Sequence, residues 1–479
     1  MVEKNDELSN IIEEEKTSRH REITYFSFNM QLFSGSFIGL TLGLYGYFYM
    51  HSVIGLSATL IFVANLILTF WYVFNDPIIG YLSDRNFKWT KKWGRRFPWI
   101  VFGGIPWCFS LILHYTIPEV VVSPWPAFFW VLMSGAVHEF FWSLFAINHN
   151  ILSADKFRTE TERKKMVKYF NPLAIVAGVL PALLIPSLLV LVNNSYTLLS
   201  VVVSLISVIF LMFYFPAAKE DEIMINRYYV IEEERMKFFH GVKDALKERT
   251  ILANMFTGTT WAIAQAIQNT VAVYIAIFVY DVKDIALYLT GFALITVIAQ
   301  IISFPLWFII RDKINDNRKA VNIAGFLSAL SIIPLSFSST LPIFLVFWIV
   351  HKIIAGYGWA IVPILNSDVL DNYAAKKKTN QKGILAGITS ISLLFSFYLD
   401  ELIVAIVFNA TGFQEKIETL EALNATVTNP ALVIWGLQLL LGVIPAIIAL
   451  IGVIFWWKVF DLTPNKILTT KKDLKDMKI

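Results

Sequence analysis

Apolar segments long enough to cross a lipid bilayer recur along the whole chain. About twenty apolar residues in a helix span the hydrocarbon core, and twelve segments of about this length can be read from the sequence. They lie at roughly 23–50, 56–82, 98–117, 125–152, 169–192, 196–215, 252–280, 285–310, 320–338, 341–367, 384–409 and 431–458. Only 16% of the residues are charged, against about 25% in soluble domains. The sequence therefore predicts an all-α membrane protein with twelve transmembrane helices.

Lysine and arginine are distributed unevenly between the loops. The basic loops lie at 83–97, 153–168, 311–319 and 371–382, and they contain six, six, four and four of these residues. The loops on the other side contain only Lys283 and Lys416. Because positively charged loops stay in the cytoplasm, we expect a multi-pass protein of the cell membrane with both termini inside. Asn193 and Asn424 would then lie outside, in short patterns that a glycosylating host could modify.

The longest polar stretch, residues 216–250, divides the twelve segments into two sets of six. It is rich in Glu, Lys and Arg, as in "IEEERMKFF". We predict five regions, which are a cytoplasmic tail at 1–22, a six-helix bundle at 23–215, a cytoplasmic middle loop at 216–250, a second six-helix bundle at 251–460 and a cytoplasmic tail at 461–479.

The two halves repeat short patterns. A proline is followed seven residues later by Asp84 in the second segment and by Asp312 in the eighth. Trp142 in the fourth segment and Trp359 in the tenth each precede an acid at the end of their helix by about a dozen residues. Two six-helix halves related in this way are typical of major-facilitator transporters.

The repeat separates two kinds of charged residue. Acidic and basic residues at the cytoplasmic helix ends occur in both halves, and we interpret them as a conformational latch between neighbouring helices. They are Asp84, Arg85, Arg95, Arg96, Asp312, Lys313, Asp368 and Asp371. Asp76 has no counterpart, because Phe304 occupies the matching position. An ionisable residue within a span costs roughly 2.5–3.5 kcal/mol on insertion scales and is expected to be functional. Asp76 is therefore the candidate cation-coupling residue.

Several motifs resemble those of one family. "NDPIIGYLSDR" and "GRRFPWIVFG" resemble the second-helix and loop motifs of the glycoside–pentoside–hexuronide:cation symporters, the group that includes melibiose permease. "FFWSL", "ERKK" and "NSDVLDNY" extend the resemblance over both halves. The resemblance implies the major facilitator fold, with two pseudo-symmetric six-helix bundles. It also implies alternating access and uptake of a sugar or glycoside driven by a cation.

The resemblance also implies roles for individual residues. Asp76 matches the cation-site carboxylate, and Trp142 and Trp359 match aromatic positions of the sugar pocket. His138 occupies the position of a fourth-helix acid, and Glu139 follows it. Glu139 lies three residues before Trp142 and shares its helix face, and a carboxylate beside an indole suits the hydroxyl groups and the apolar face of a sugar ring. We predict that Glu139, Trp142, Trp359 and His138 bind substrate.

One departure from the family pattern concerns the coupling ion. The family's cation site contains a second acid one turn before the Asn-Asp-Pro motif, and that position is Tyr72 here. Sodium needs several oxygen ligands, whereas a single carboxylate can bind and release a proton. We therefore expect a proton as the coupling ion, with sodium as the alternative, and we expect no cofactor and no structural metal.

Further polar side chains within the apolar segments are candidates for the transport pathway. Gln265, Gln268 and Asn269 lie on one helix face, although polar contacts between helices would use the same residues. Asp400 and Glu401 are candidates for a second proton site, or they face an outer vestibule. The remaining candidates are Asn75, His351 and Lys352.

The sequence contains no sign of an enzyme or a primary pump. It has no Gly-x-x-x-x-Gly-Lys-Ser/Thr loop for ATP, and its single cysteine, Cys108, excludes an internal disulfide. The net charge of +4 reflects the basic loops rather than nucleic-acid binding. We expect a monomeric secondary transporter for a small molecule, a sugar or glycoside. The alternatives are a carrier of an amphipathic solute such as a lysolipid, and a membrane receptor or scaffold that does not transport.

Overall fold

The computed structural model describes residues 20–85, 87–118, 123–157, 159–225, 247–377 and 382–476. Within these ranges every regular element is helical, so the predicted all-α class is confirmed. Most of the predicted N-terminal tail and the centre of the predicted middle loop lie outside the described residues, as does the end of the C-terminal tail.

The described N-terminal half forms eight α-helices, with two π-helical segments after the second. They are α1 (Glu22–Phe28), α2 (Gln31–Thr41), the π-helical segments Leu42–Gly46 and Tyr49–Ile54, α3 (Ala58–Ser83), α4 (Thr90–Trp93), α5 (Phe97–Tyr115), α6 (Pro124–Lys156), α7 (Glu160–Leu191) and α8 (Tyr196–Ala218).

The described C-terminal half forms eleven α-helices, some of which are pieces of one longer span. They are α9 (Arg249–Tyr274) with the π-helical Ile275–Val279, α10 (Ile285–Ile314), α11 (Asn317–Ile332) with the 3-10 turn Ile333–Phe337, α12 (Leu341–Ala355), α13 (Tyr357–Ala360), α14 (Val362–Lys377), α15 (Lys382–Thr411), α16 (Leu420–Thr426), α17 (Pro430–Leu441), α18 (Val443–Val459) and α19 (Pro464–Asp476).

In the part of the chain that the structure describes, ten helical segments are long and apolar enough to cross a membrane. The other two predicted spans correspond to the interrupted helix made of α1, α2 and the π-helical segments, and to α15. All twelve predicted spans therefore coincide with helices.

Polar caps mark the points where several of these helices begin. Thr159, Asp284 and Asp316 each accept a hydrogen bond from the backbone N–H three residues later, at 3.2, 2.9 and 3.1 Å. Such caps satisfy N–H groups that have no partner inside the helix. Each of these three helices therefore begins directly after a short polar side chain.

The chain divides into two compact units. The first comprises the described residues up to position 49 and those within 63–235, and the second comprises residues 50–62 and the described residues from 236 onward. The segment 50–62 thus joins the second unit although it lies in the N-terminal half of the sequence. The His51 ring lies 5.0 Å from the Phe408 ring, and Asn409 donates a hydrogen bond to Thr59 at 2.9 Å.

Small residues allow close contacts between helices in both units. A Cβ atom at Gly103 of α5 would lie 2.7 Å from the backbone nitrogen of Phe145 on α6, and a Cβ at Gly452 of α18 would collide with Thr260 on α9. Close backbone approach at small residues is a common basis of helix packing in membranes. These contacts hold α5 against α6 and α9 against α18.

Helix α3 carries an exposed apolar stripe. Phe70, Phe74, Ile78 and Tyr81 are between 50% and 65% exposed, and their spacing of three or four residues places them on one helix face. Asn75 on the other side is buried. The exposed stripe suits contact with lipid, and the polar side of α3 faces protein.

Candidate functional site

Helices α3 and α6 contact each other in the first unit through residues that recur at equal intervals. Leu68 of α3 occupies the space where a side chain at Gly135 of α6 would stand. Eight residues later on both helices, the Ser143 hydroxyl of α6 approaches the Asp76 carboxyl group of α3. The two helices therefore run side by side in the same direction.

Several buried polar atoms at this contact have no hydrogen-bond partner in the described part of the chain. Asp76 Oδ1, Ser143 Oγ and Asn75 Nδ2 are all buried without a hydrogen-bond partner among the described residues. A buried polar group left without a partner costs about 1–3 kcal/mol, and such groups in native structures call for an explanation. The contact can accept a proton, a cation or a hydroxyl group.

Glu139 belongs to the same contact. It lies four residues after Gly135 and four before Ser143, so it stands on the face of α6 that meets α3. Its Oε2 atom is buried and has no hydrogen-bond partner in the described part of the chain. Asp76 and Glu139 therefore stand on the facing sides of α3 and α6.

His138 is held by α5 instead. Its Nε2 accepts a hydrogen bond from Trp107 Nε1 at 3.2 Å, and its Nδ1 lies 2.8 Å from Ser110 Oγ. Ser110 itself donates to the Trp107 carbonyl oxygen at 2.6 Å, so Nδ1 carries the proton and donates to Ser110. Both ring nitrogens are therefore engaged, and His138, which we predicted to bind substrate, has neither nitrogen free for a ligand in this structure.

The two tryptophans predicted to bind substrate have different surroundings. Trp142 is half-buried, and its ring centroid lies 4.6 Å from that of Trp107. Trp359, in the second unit, is 58% exposed and meets the Trp261 ring edge-on at 6.2 Å. Each therefore extends an aromatic surface within its own unit.

Lys352 lies inside the second unit, where it is 8% exposed. Its Nζ donates to Gln265 Oε1 at 3.1 Å and to Gln268 Oε1 at 3.5 Å, and it lies 4.1 Å from the centre of the Trp348 ring. Among the described residues, these partners of the ammonium group are neutral. Of the three polar residues predicted on one face of this helix, Gln265 and Gln268 thus accept hydrogen bonds from Lys352, whereas Asn269 is exposed.

Asp400 is a second buried carboxyl group of this unit. It is 3% exposed, and its Oδ2 accepts a hydrogen bond from Thr270 Oγ1 at 3.0 Å. Its Oδ1 has no hydrogen-bond partner in the described ranges. Asp400 therefore lies in the interior rather than on an outer surface, and the adjacent Glu401 is half-buried.

The predicted latch of the first unit contains a buried arginine. Arg96 Nη2 lies 2.5 Å from Asp84 Oδ1, and Nη1 donates to Ser83 on α3 at 3.0 Å and to Asn148 on α6 at 3.4 Å. Arg96, at the start of α5, therefore joins α3 and α6. Arg85 lies over the Tyr81 ring, with 4.4 Å between its Cζ and the ring centre.

Glu220, which the sequence did not single out, holds the start of α5. Its carboxylate accepts hydrogen bonds from the backbone N–H groups of Arg95, Arg96 and Phe97 at 3.1, 2.8 and 2.9 Å. Gly94 precedes them with φ of 87°, and a Cβ atom there would collide with the Glu220 carboxylate. A negative charge is favourable at a helix N-terminus, but only the fold brings residue 220 to this place.

The predicted latch residues of the second unit have different surroundings. Asp312 is 74% exposed, and its ion pair in the described structure is with the adjacent Arg311 at 3.9 Å. Lys313 is also exposed. Asp368 is buried and Asp371 is half-buried. The sequence repeat around Asp84 and Asp312 therefore does not extend to the same tertiary contact.

His20, also missed by sequence reasoning, joins three parts of the first unit. Its Nδ1 lies 2.6 Å from Glu162 Oε1 on α7, and its Nε2 lies 3.7 Å from Asp221 Oδ2 beyond α8. Burial lowers the pKa of His20, but hydrogen bonds to Asp221 and Glu162 outweigh it and raise the pKa above 6.5. The signal in the sequence is only a lone histidine before the first span.

Within the described ranges, no three His, Cys, Asp or Glu side chains come close enough together to hold a metal ion. The oxygen atoms at the contact of α3 and α6 remain the candidate ligands for a monovalent cation.

Comparison with known proteins concerns the family and the fold of the chain. A family model described as MFS/sugar transport protein matches residues 15–463. The uncharacterized symporter YnaJ of Bacillus subtilis (strain 168) is 21% identical over 398 residues, which are 80% of this chain and 81% of that protein. An uncharacterized symporter of Synechocystis sp. (strain ATCC 27184 / PCC 6803 / Kazusa) is 25% identical over 141 residues, which are 29% of this chain and 25% of that protein.

A solved structure has a similar fold. The crystal structure of the nucleoside transporter NupG superposes with a TM-score of 0.57 at 15% sequence identity, over 92% of this chain and 98% of that one. The similarity extends over nearly the whole chain and concerns the fold.

Proposed function

We propose that this chain, which belongs to the MFS/sugar transport protein family, moves a sugar or glycoside across the membrane by alternating access in symport with a proton. Family membership makes it a multi-pass membrane transporter of a small molecule and not an enzyme. One observation carries the proposal of coupling. At the contact of α3 and α6, Asp76 and Glu139 each keep a buried carboxylate oxygen without a hydrogen-bond partner in the described residues.

Asp76 is the proposed coupling residue. Ionisable side chains in a span are costly unless they are paired or functional, and the neighbours of this carboxyl group, Asn75 and Ser143, are neutral. Taking up a proton would neutralise Asp76 and remove the cost of its burial. Releasing the proton on the other side of the membrane would restore the charge and complete the cycle.

Glu139 and Trp142 are the proposed substrate residues of the first unit. A carboxylate oxygen without a partner accepts hydrogen bonds from hydroxyl groups, and an indole packs on the apolar face of a sugar ring. His138 orients this part of α6 through its bonds to Trp107 and Ser110. Trp359 is the proposed aromatic residue of the second unit, because its side chain is exposed.

Sodium is the second candidate for the coupling ion. The observation in its favour is that the Asp76 carboxyl group of α3 approaches the Ser143 hydroxyl of α6, so a cation there would meet oxygen atoms from both helices. We also propose a monomer in the cell membrane with both termini in the cytoplasm, since the basic loops favour this orientation.

Uptake into proteoliposomes tests the proposal. Labelled mono- and disaccharides would be offered with an inward proton gradient, with an inward sodium gradient, and with neither. We expect accumulation of a sugar that depends on the proton gradient. Asp76→Asn should abolish accumulation but retain exchange across the membrane, because the neutral amide mimics the protonated state. The exposed acid Glu418 provides the matched control, and Glu418→Gln should transport normally.

The outcomes separate the parts of the proposal. Accumulation driven by sodium alone would replace the proton with sodium. If Asp76→Asn still accumulates sugar in response to pH, the coupling residue lies elsewhere. If no sugar is taken up but a lysolipid or another amphipathic solute is, the substrate class is wrong. Glu139→Gln should raise the substrate concentration needed for half-maximal uptake more than it alters coupling.

A further inference from the structure

The two halves contain the same hydrogen-bonded pair of a serine and a histidine. In the first unit, Ser110 of α5 lies 2.8 Å from His138 Nδ1. In the second unit, Ser331 of α11 lies 3.0 Å from His351 Nδ1. Each serine also donates to the carbonyl oxygen three residues before it, at 2.6 and 2.7 Å. Because each serine uses its hydroxyl proton for a carbonyl oxygen, it accepts from the histidine, and Nδ1–H is the donor in both pairs. Nε2 is then an acceptor in both histidines.

The pairs differ in what meets Nε2. Three residues before Ser110 stands Trp107, whose indole N–H donates to His138 Nε2 at 3.2 Å. Three residues before Ser331 stands Ser328, which has no indole. His351 is fully buried, and its Nε2 has no hydrogen-bond partner among the described residues.

A small cavity lies beside His351. Its volume is about 20 Å³, and Ser328, His351, Trp261 and Gln265 are among the residues that line it. Trp261 Nε1 is also buried without a hydrogen-bond partner in the described structure. Two residues that line the cavity thus each carry a buried ring nitrogen without a partner, the donor Trp261 Nε1–H and the acceptor His351 Nε2.

We propose that this cavity binds one water molecule, which accepts a hydrogen bond from Trp261 Nε1–H and donates one to His351 Nε2. A water needs roughly 10–15 Å³ of such space and two to four polar partners, and the site supplies both. The water replaces in the second unit the indole N–H that Trp107 supplies in the first.

A neutral ligand fits the charges around the cavity. The parts of α9, α11 and α18 that line it contribute no acidic or basic side chain. Lys352 follows His351 in the chain, and its ammonium donates to Gln265 and Gln268. A cation would meet no carboxylate here, whereas water satisfies both orphaned atoms.

The water site lies at a break in a transmembrane helix. Helix α12 ends at Ala355 and α14 begins at Val362, with the single turn α13 between them, and Tyr357 of α13 lines the cavity. The carbonyl oxygen of Ile353 accepts hydrogen bonds from Ser303 and Trp307 of α10 instead of a helical partner, at 2.6 and 3.1 Å. By contrast, α6 runs unbroken from Pro124 to Lys156.

The break and the water together make a hinge that α6 lacks. Broken helices in transporters are associated with their binding sites, and helices bend where a side chain or a water interrupts their backbone hydrogen bonds. A water can change partners as the helix bends, whereas an indole held like that of Trp107 cannot. This role rests on the proposed transport function, but the binding of the water does not.

Two substitutions at Ser328 test whether the site holds water. Ser328→Asn adds an amide group about as large as a water molecule, and its N–H can reach His351 Nε2. Ser328→Val fills the space with methyl groups and leaves Trp261 Nε1 and His351 Nε2 without partners. If the site is wet, Ser328→Val should lower the apparent melting temperature in detergent by several degrees, and Ser328→Asn should not. If Ser328→Val stabilises the protein, or if both variants behave alike, the cavity is dry and the proposal is wrong.

Uptake by the same variants tests the hinge. Ser328→Asn should keep the fold, but its amide replaces the water with a group that is fixed to the chain. One hydrogen bond that must break as the helix bends corresponds to roughly a tenfold lower rate of uptake. We expect uptake to fall by about that factor, while Ser328→Ala, which leaves room for the water, transports normally. Wild-type uptake by Ser328→Asn would refute the hinge without affecting the water site or the assignment of Asp76.

Discussion

Removing the Glu220 side chain should detach the start of α5 from its anchor. The carboxylate of Glu220 accepts three backbone hydrogen bonds there, from Arg95, Arg96 and Phe97. Glu220→Ala leaves these N–H groups without their acceptor, and Arg96 is itself buried and tied to α3 and α6. The effect should therefore reach the packing of three helices.

The size of the effect follows from the number and type of these bonds. Loss of a helix cap costs about 0.5–2 kcal/mol, and a hydrogen bond to a charged group contributes about 1.5–3 kcal/mol. Water that enters the space left by the Glu220 side chain would replace part of the loss, so we expect Glu220→Ala to lower the free energy of unfolding by about 2–4 kcal/mol. Domains of 150–250 residues lose about 2–4 °C of melting temperature per kcal/mol, so the apparent melting temperature should fall by at least about 4 °C.

Thermal unfolding of the purified protein in one detergent measures this shift. Glu222 provides the control, because it is an exposed glutamate two residues further on, and Glu222→Ala should melt with the wild type. Glu220→Gln retains an oxygen acceptor and should fall between the two. If Glu220→Ala and Glu222→Ala melt within about 1 °C of each other, the capping contact does not stabilise α5 and the reasoning is refuted.

Three further predictions concern the first unit. The pKa of His20 is raised, so its contribution to stability is complete below pH 6.5 and is lost as the pH rises through the raised pKa. His20→Gln should therefore lower the melting temperature more at pH 6 than at pH 8. Equal losses at both pH values would contradict this. Asp84→Asn removes the partner of buried Arg96 and should destabilise by about 1–2 kcal/mol, whereas Asp312→Asn, at an exposed site, should not. Trp107→Phe keeps a ring but leaves His138 Nε2 unpaired, which should lower the free energy of unfolding by about 1–3 kcal/mol. If the lost hydrogen bond is the cause, the same substitution should cost less in a His138→Leu background.

Part of the candidate site could be predicted from the sequence. Asp76 is recognisable because a carboxylate within an apolar helix is expensive and needs a reason. Glu139 and Trp142 share a helix face because of their spacing, which is a local property. That the Glu139 face of α6 turns to α3 could not be predicted, since it depends on how the two helices pack.

Other residues were beyond sequence reasoning for the same cause. The polar stripe of Gln265 and Gln268 was visible, but not that it holds Lys352, because a hydrogen bond joins helices that are far apart in the chain. The repeat predicted equal roles for Asp84 and Asp312, yet only Asp84 meets a buried arginine. Similar local sequence does not ensure similar tertiary neighbours.

The sequence by itself determined the all-helical architecture and the number of spans, because the bilayer requires each crossing segment to satisfy its own backbone hydrogen bonds and to be apolar along its length. Both requirements can be read along one dimension. Only the tertiary structure decided that Trp107 donates a hydrogen bond to His138, that His351 lines a cavity, and that Glu220 caps α5. Those outcomes depend on the distance and direction between side chains of different helices, which hydropathy and spacing do not specify.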